Sequence, residues 1–209
     1  KRLGAQLGVL LVLHTWGQDL RRHIHVHALM ACGALTQGSE GARWVAPRRS
    51  ERFLFPVHAL SRVLRGKFCA ALAAAQEQGL LTADPGDDPA PGAAQRSARL
   101  SGLRRKPWVV YAKTPLAGPV QVLDYLSRYT RRTAIGAERL IGIEGDKVLL
   151  RVRVNARAGQ RERAHRRERT RIVAIEGGEL IERFLQHVQP LGFKRIRHYG
   201  LLAPGAKPQ

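Results

Sequence analysis

The sequence predicts an α+β fold, because stretches with a strand period and stretches with a helical period both occur and short turns join neighbouring strands. Two apolar strands, at 8–14 and 22–30, are separated by a turn at Thr15–Asp19, which favours an antiparallel pair. Further strands are expected at 43–45, 108–112, 139–144, 147–154 and 172–175. The third and fourth of these flank Glu144–Asp146, which reads Glu-Gly-Asp and is typical of a hairpin turn.

Helices are predicted where apolar residues recur every three or four positions. They are expected at 55–79, 119–132 and 179–188. Pro119 suits the first turn of the second helix, and Pro190 ends the third. Residues 82–102 contain many helix-breaking residues, so we expect an exposed or flexible loop there.

The composition points to a polyanionic partner. Lys and Arg number 36 and Asp and Glu number 16, so the formal net charge is +20, which exceeds what solubility requires and makes nucleic acid the first candidate. Cys32 and Cys69 form no CxxC pair, which argues against a disulfide framework or a cysteine zinc site and fits a reducing, cytoplasmic compartment. The apolar run Leu7–Leu13 is too short to span a membrane and is interpreted as a buried strand.

The second predicted strand carries three histidines. His23, His25 and His27 alternate with apolar residues and therefore lie on one strand face, whereas Ile24 and Val26 are expected to face a core. Same-face side chains stand roughly 6.6 Å apart along a strand, so two neighbouring imidazoles can hold one divalent cation. The plainer alternative is a solvent-exposed strand face that happens to carry histidines.

The helix at 119–132 carries two tyrosines on one face. Tyr125 and Tyr129 are four residues apart, which is one helical turn. A tyrosine can attack a phosphodiester to form a covalent phosphotyrosine, and a nearby divalent cation can stabilise the charge that develops on the phosphate. The second tyrosine allows a second transfer. The alternative is an aromatic helix face that packs on a sheet.

The third ligand of such a cation is not fixed by the sequence. Gln18, just before the histidine strand, is the first candidate, and His23 is the second. The segment Arg157–Arg171 is rich in arginine and is interpreted as an arm that follows phosphates. The tail Phe193–Gly200 mixes cationic and aromatic residues and either contacts nucleic acid or forms an edge strand. The arginines expected to bind DNA are Arg128, Arg131, Arg132, Arg161, Arg163, Arg166, Arg167, Arg195 and Arg197.

Several motifs carry a family resemblance. The segment His25–His27 (His-Val-His) resembles the histidine–hydrophobe–histidine motif of the HUH nucleases, and Tyr125–Tyr129 resembles the paired-tyrosine motif of their two-tyrosine branch. Longer stretches resemble the rolling-circle insertion-sequence transposases: Leu13–Leu20, Trp108–Lys113, Gln121–Thr130 and Phe193–Leu202. The resemblance covers nearly the whole chain.

The resemblance implies a transposase that nicks and rejoins single-stranded DNA, at transposon ends and target, through a 5′-phosphotyrosine. It implies Mg²⁺ or Mn²⁺ as cofactor. It also implies a central antiparallel sheet flanked by helices, as in the ferredoxin-like core of the HUH endonucleases. On this basis residues 1–150 form the catalytic core, with a flexible loop at about 82–102, and residues 151–209 form a basic C-terminal extension. A bacterial cytoplasmic protein that associates with the nucleoid in use is expected.

Three departures from the family pattern stand out. The family has an N-terminal cysteine-rich zinc-binding domain that this sequence lacks, and the chain begins at Lys1 without Met, so we expect a piece of a longer protein. Many relatives carry histidine where this chain has Arg131, and 155–171 is unusually rich in arginine.

Two other functions explain part of the sequence. A noncatalytic nucleic-acid-binding module or an inactive transposase remnant explains the charge but not the joint presence of paired histidines and paired tyrosines. A zinc hydrolase is disfavoured because the sequence has no HExxH motif.

Overall fold

The described part of the chain combines antiparallel sheets with helices, which confirms the predicted α+β class. The structure, a computed structural model, describes residues 5–38, 41–46, 55–81, 92–116, 118–130, 134–153 and 170–206. In chain order, the elements are β1 (Gly8–Trp16), β2 (Arg22–Met30), β3 (Ala34–Gly38), β4 (Gly41–Val45), α1 (Val57–Glu77), α2 (Ala93–Arg105), α3 (Pro119–Thr130), β5 (Leu140–Glu144), β6 (Lys147–Arg153), β7 (Thr170–Glu176), α4 (Gly177–Leu185) and β8 (Ile196–Gly200).

The strands form three sheets with the orders β2-β1-β8, β3-β4 and β5-β6-β7. The chain divides into two compact units, one made of residues 1–46 and 116–209 and the other of residues 47–115. The domain boundary expected after residue 150 falls inside β6, and β8 from the expected extension pairs with β1 of the expected core. The expected division into a catalytic core and a basic C-terminal extension stays a prediction.

The sheet β2-β1-β8 carries the chemically interesting residues. Its register pairs His14 with His25 and Val12 with His27, and paired residues point to the same face of a sheet. Val12 and His14 are buried, whereas Ile24 is 65% exposed and Val26 is 54% exposed. The expectation that Ile24 and Val26 face a core is wrong: β2 is an edge strand, and its histidine face is the better covered one.

The turn between β1 and β2 is tight and internally bonded. The backbone N–H of Gly17 donates to the carbonyl oxygen of Arg21 at 2.8 Å. Leu20 adopts a φ of 62°, in the left-handed region, and its side chain is fully buried. Burial of this leucine offsets the cost of its backbone conformation, so the turn is held by packing as well as by hydrogen bonds.

Truncation of this leucine tests that interpretation. We expect Leu20→Ala to lower the free energy of unfolding by about 2–5 kcal/mol, because it leaves a cavity under the turn. Leu185→Ala is the matched control, since Leu185 is 60% exposed, and its effect should be within about 0.5 kcal/mol. Urea denaturation measures both, and equal stabilities for the two variants would contradict the packing role.

An apolar cluster lies on the sheet β5-β6-β7. Leu150, Val152 and Ile175 are buried there, and Val173 and Leu180 pack against them. The glycine of the Glu-Gly-Asp turn, Gly145, has a φ of 60°, as a tight hairpin requires. The predicted hairpin and the predicted strand at 172–175 are both confirmed.

Two local expectations in the unit 47–115 are wrong. Residues 93–105 form α2, so only residues 82–91 of the expected loop remain untested, and these lie outside the described ranges. Residues 108–112, which are described, do not form the expected strand. Trp108 forms hydrogen bonds to two helices instead. Its indole N–H donates to the carbonyl oxygen of Leu103 in α2 at 3.2 Å, and its carbonyl oxygen accepts from the Ser61 hydroxyl in α1.

Within the described ranges, no helix combines the length and the apolar character that crossing a membrane requires.

Candidate active site

Three histidines meet on one face of the sheet β2-β1-β8. One ring nitrogen from each of His14, His25 and His27 lies within 4.8 Å of the other two. The strand register explains this, because His14 on β1 is paired directly with His25 on β2, and His27 follows two residues later on the same face. This group could hold a metal ion.

His14 is the member that sequence reasoning missed. The chain shows it at the end of an apolar strand, but nothing local connects it with the histidine strand. The signal that would have found it is the pairing register: a short turn between two antiparallel strands places the end of one beside the start of the other.

Hydrogen bonds set the tautomers of two of these rings. His25 donates from Nδ1 to the carbonyl oxygen of His23 at 2.8 Å. His14 donates from Nε2 to the carbonyl oxygen of Tyr129 at 2.9 Å. A neutral imidazole that donates through one nitrogen keeps its lone pair on the other, so these bonds orient Nε2 of His25 and Nδ1 of His14 as potential ligands.

Of the two third-ligand candidates from the sequence, His23 lies beside this group but is not one of its three members, and a ligand role for the Gln18 side chain stays a prediction. The ring centroid of His23 lies 4.9 Å from that of His25, and the carbonyl oxygen of His23 accepts the bond from His25. Gln18 lies in the turn, where its main-chain carbonyl oxygen accepts a hydrogen bond from the Arg139 guanidinium. His14 is the third residue that the structure brings to His25 and His27.

The tyrosine helix α3 lies beside the histidines. The ring of Tyr129 lies 4.0 Å from that of His27 and 6.1 Å from that of His14, measured between centroids. The rings of Tyr125 and Tyr129 are 4.4 Å apart, as the four-residue spacing predicts. Both tyrosines are half-buried. One tyrosine is therefore in contact with the histidine group, and the second is in contact with the first.

The environment of Tyr125 disfavours its phenolate. Burial raises the pKa of Tyr125 above its usual value of 10.0, and the neighbouring Tyr129 raises this pKa further. The neutral phenol is thus the form that this site favours.

The C-terminal end of α3 is attached to the sheet by side chains. His14 donates to the carbonyl oxygen of Tyr129, and Arg195 donates from Nη2 to the carbonyl oxygen of Thr130 at 2.7 Å. Trp16 stacks on His14 with ring centroids 4.8 Å apart and an interplanar angle of 15°. The two hydrogen bonds engage carbonyl groups in the last turn of α3, where the carbonyls of a helix lack partners within the helix.

The turn before the histidine strand is attached to α4 and to the segment after it. Arg183 donates to the carbonyl oxygen of Asp19 at 2.9 Å. The buried His187 bonds through Nε2 to the carbonyl oxygen of Leu20 at 2.7 Å, and through Nδ1 to the hydroxyl of Thr15 at 3.1 Å. These bonds hold the end of β1 and the turn that follows it against Arg183 and His187.

The structure describes the side chains of two of the nine arginines expected to bind DNA. Arg197 is exposed, and its Cζ lies 6.0 Å from the Phe193 ring centroid. Arg195 is half-buried and bonds to α3, as described above. Arg128 lies on α3, but its side chain is outside the described part of the structure. Residues outside the described ranges are Arg131, Arg132, Arg161, Arg163, Arg166 and Arg167.

The donor set fits a divalent transition-metal ion. Three imidazoles from a rigid sheet suit such an ion, whereas Mg²⁺ prefers oxygen ligands. Of the two cofactors implied by the family resemblance, Mn²⁺ is therefore the better match to these three side chains.

Comparisons with known proteins agree with one another. A protein family described as "Putative transposase" matches residues 8–209. The chain is 40% identical over 204 residues to "Putative transposase y4qJ" of Sinorhizobium fredii, a match that covers 97% of this chain and 48% of the relative. The chain thus spans about half the length of that curated relative. No solved structure gives a significant match.

Proposed function

This chain belongs to the transposase family that matches residues 8–209, and we propose that it nicks and rejoins single-stranded DNA through a covalent tyrosine–phosphate bond. The contact between Tyr129 and His27, at 4.0 Å between ring centroids, supports this proposal most strongly. It puts a nucleophile of the right chemical type beside three side chains suited to a divalent cation.

The chemistry follows from these groups. The Oη of Tyr129 attacks a DNA phosphorus, the bond from phosphorus to the 3′ oxygen breaks, and the departing 3′ oxygen gains a proton as the phenol loses one. The new tyrosine–phosphate ester replaces the broken one, so a later attack by a 3′ hydroxyl can rejoin the strand without ATP. When bound by His14, His25 and His27, a divalent cation supplies positive charge that stabilises the transferring phosphate.

The two tyrosines then differ in role. Among the described residues, Tyr129 makes ring contacts with His14 and His27, whereas Tyr125 makes its ring contact with Tyr129. Burial and the neighbouring Tyr129 also raise the pKa of Tyr125 above its ordinary value, which disfavours its phenolate. Tyr129 is therefore the nucleophile of the first cut, and Tyr125 takes the second transfer.

The pKa of Tyr125 gives a pH prediction. Subtracting the phenolate absorbance of a Tyr125→Phe variant from that of the wild type isolates the titration of Tyr125. Its midpoint should lie above pH 10.0, because burial and the neighbouring Tyr129 both raise this pKa. Between pH 10 and that midpoint the unfolded chain loses the proton first, so the free energy of unfolding should fall as pH rises. A midpoint at or below 10 would contradict the burial of this phenol.

DNA binding is the part of the proposal that rests on charge. The net charge of +20 and the exposed Arg197 suit a phosphate backbone. For single strands, the logarithm of the binding constant should fall with the logarithm of salt concentration with a slope of about −0.7 per neutralised phosphate. This binding should persist without a cation, because the arginines supply it and the histidines do not.

One experiment tests the reaction although the recognised DNA sequence is unknown. The protein is incubated with a labelled library of randomised single-stranded oligonucleotides and Mn²⁺, and adducts that survive SDS and heat are collected on a denaturing gel. We expect a labelled protein band that requires Mn²⁺ and disappears in a Tyr125→Phe, Tyr129→Phe double variant. DNA binding without any such band would favour the noncatalytic alternative.

A further inference from the structure

We propose that Arg195 is a positioning residue, which holds the C-terminal end of α3 so that Tyr129 stays beside His27. The inference rests on the proposed function, because it assigns Tyr129 the first attack. It gives Arg195 a role different from the phosphate contact that the sequence suggests.

The backbone and the side chain of Arg195 are both engaged within the protein. Its carbonyl oxygen accepts a bond from the N–H of Leu13 at 3.0 Å, which fixes the residue beside β1. Its guanidinium donates from Nη2 to the carbonyl oxygen of Thr130 at 2.7 Å, and Cζ lies 5.8 Å from the Trp16 ring centroid. The side chain is half-buried.

These contacts belong to a closed ring of neighbouring residues at the C-terminal end of α3. Arg195 lies over Trp16, Trp16 stacks on His14, and His14 donates to the carbonyl oxygen of Tyr129. Tyr129 precedes Thr130, whose carbonyl oxygen accepts from Arg195. We call Arg195, Trp16 and His14 the helix-end clamp.

The clamp suits its place for two physical reasons. The last carbonyl groups of a helix lack partners within the helix, and they carry the negative end of its dipole, so a cationic donor stabilises them. The two clamped carbonyls belong to the nucleophile itself and to the next residue. A displacement of about 1 Å in a reacting group can cost about 10²-fold in rate, so loosening this end should slow the attack.

Three variants of the full chain test the role. Arg195→Ala removes both the hydrogen bond and the charge, and Arg195→Lys keeps the charge and a donor without the planar guanidinium. Lys194→Ala is the matched control, because it removes one positive charge from the exposed neighbouring residue. For each protein we measure the rate of adduct formation at saturating oligonucleotide, the salt dependence of DNA binding, and amide hydrogen exchange in residues 119–130.

The positioning role predicts that Arg195→Ala slows adduct formation at saturation by about 10- to 100-fold, with the salt slope of the wild type. The saturating rate of Arg195→Lys should lie between those of the wild type and Arg195→Ala, and Lys194→Ala should keep the wild-type saturating rate. Amides in residues 119–130 should exchange faster only in the Arg195 variants. A phosphate contact would instead lower the salt slope by about 0.7 and leave the saturating rate unchanged, which would overturn the proposal.

The readouts also separate this inference from the proposed function. If the wild type forms no adduct, the proposed function fails, and hydrogen exchange alone decides the role of Arg195. Exchange in residues 119–130 that is as slow in Arg195→Ala as in the wild type would overturn the clamp. If the Ala variant does not fold, the Lys variant decides by the same criteria.

Discussion

Replacing His27 by Ala should abolish most cation-dependent cleavage, with a fall of about 10²–10³-fold in the rate of adduct formation, and leave most of the DNA affinity intact. The change removes one of three potential ligands and the ring that contacts Tyr129. Affinity should survive because phosphate contacts by arginines dominate binding. The rate at saturating oligonucleotide and the dissociation constant, both measured with Mn²⁺, separate the two effects.

Two further variants sharpen this prediction. His25→Ala should weaken Mn²⁺ binding as His27→Ala does, since both residues belong to the same group. His198→Ala is the matched control: it removes an exposed histidine of β8 that lies outside the group, and it should bind Mn²⁺ like the wild type. Titration calorimetry with Mn²⁺ alone gives these affinities. If His25→Ala and His198→Ala bind Mn²⁺ equally well, the proposed cation site is wrong.

The second large effect is expected at the tyrosines. Tyr129→Phe should lower the rate of first-strand adduct formation by at least about 10³-fold, because the nucleophilic oxygen is lost while the ring that packs on His27 remains. Tyr125→Phe should keep the rate of first-strand adduct formation within about threefold of the wild-type rate, because Tyr125 does not attack in this step and the variant changes only its packing. It should block the second transfer.

A control on a third tyrosine makes this contrast specific. Tyr199→Phe removes an exposed phenol on β8, outside α3, and should leave both steps unchanged. The rate of the first cut is followed by adduct formation on a labelled oligonucleotide, and the second step by transfer of that strand to a 3′ hydroxyl. Equal losses in Tyr125→Phe and Tyr129→Phe at the first step would mean that the assigned order is wrong.

Much of the local structure around this site was predictable from the sequence. The histidine strand occupies Arg22–Met30 as the alternation predicts, because a period of two specifies a strand whatever surrounds it. The tyrosine helix begins at Pro119 as predicted, and its two phenol rings are in contact, because the four-residue spacing is set by the geometry of the helix.

The remainder depends on contacts between distant segments, which local patterns do not encode. His14 joins the histidine group only through the β1–β2 register. Arg195 looks like any arginine of a basic tail until the fold brings it to Thr130, 65 residues away in sequence. Trp108 has the apolar neighbours of a strand, but its backbone and indole bond to helices, so tertiary contacts override local propensity there.

The central claim is that Tyr129 attacks DNA beside His14, His25 and His27. The most direct test is to digest the Mn²⁺-dependent covalent adduct with protease and nuclease and to identify the modified residue by mass spectrometry. The proposed mechanism predicts a phosphodiester bond on Tyr129 in the first adduct, and on Tyr125 only after the second transfer. A first adduct on any residue other than Tyr129, or cleavage without a protein–DNA bond, would contradict it.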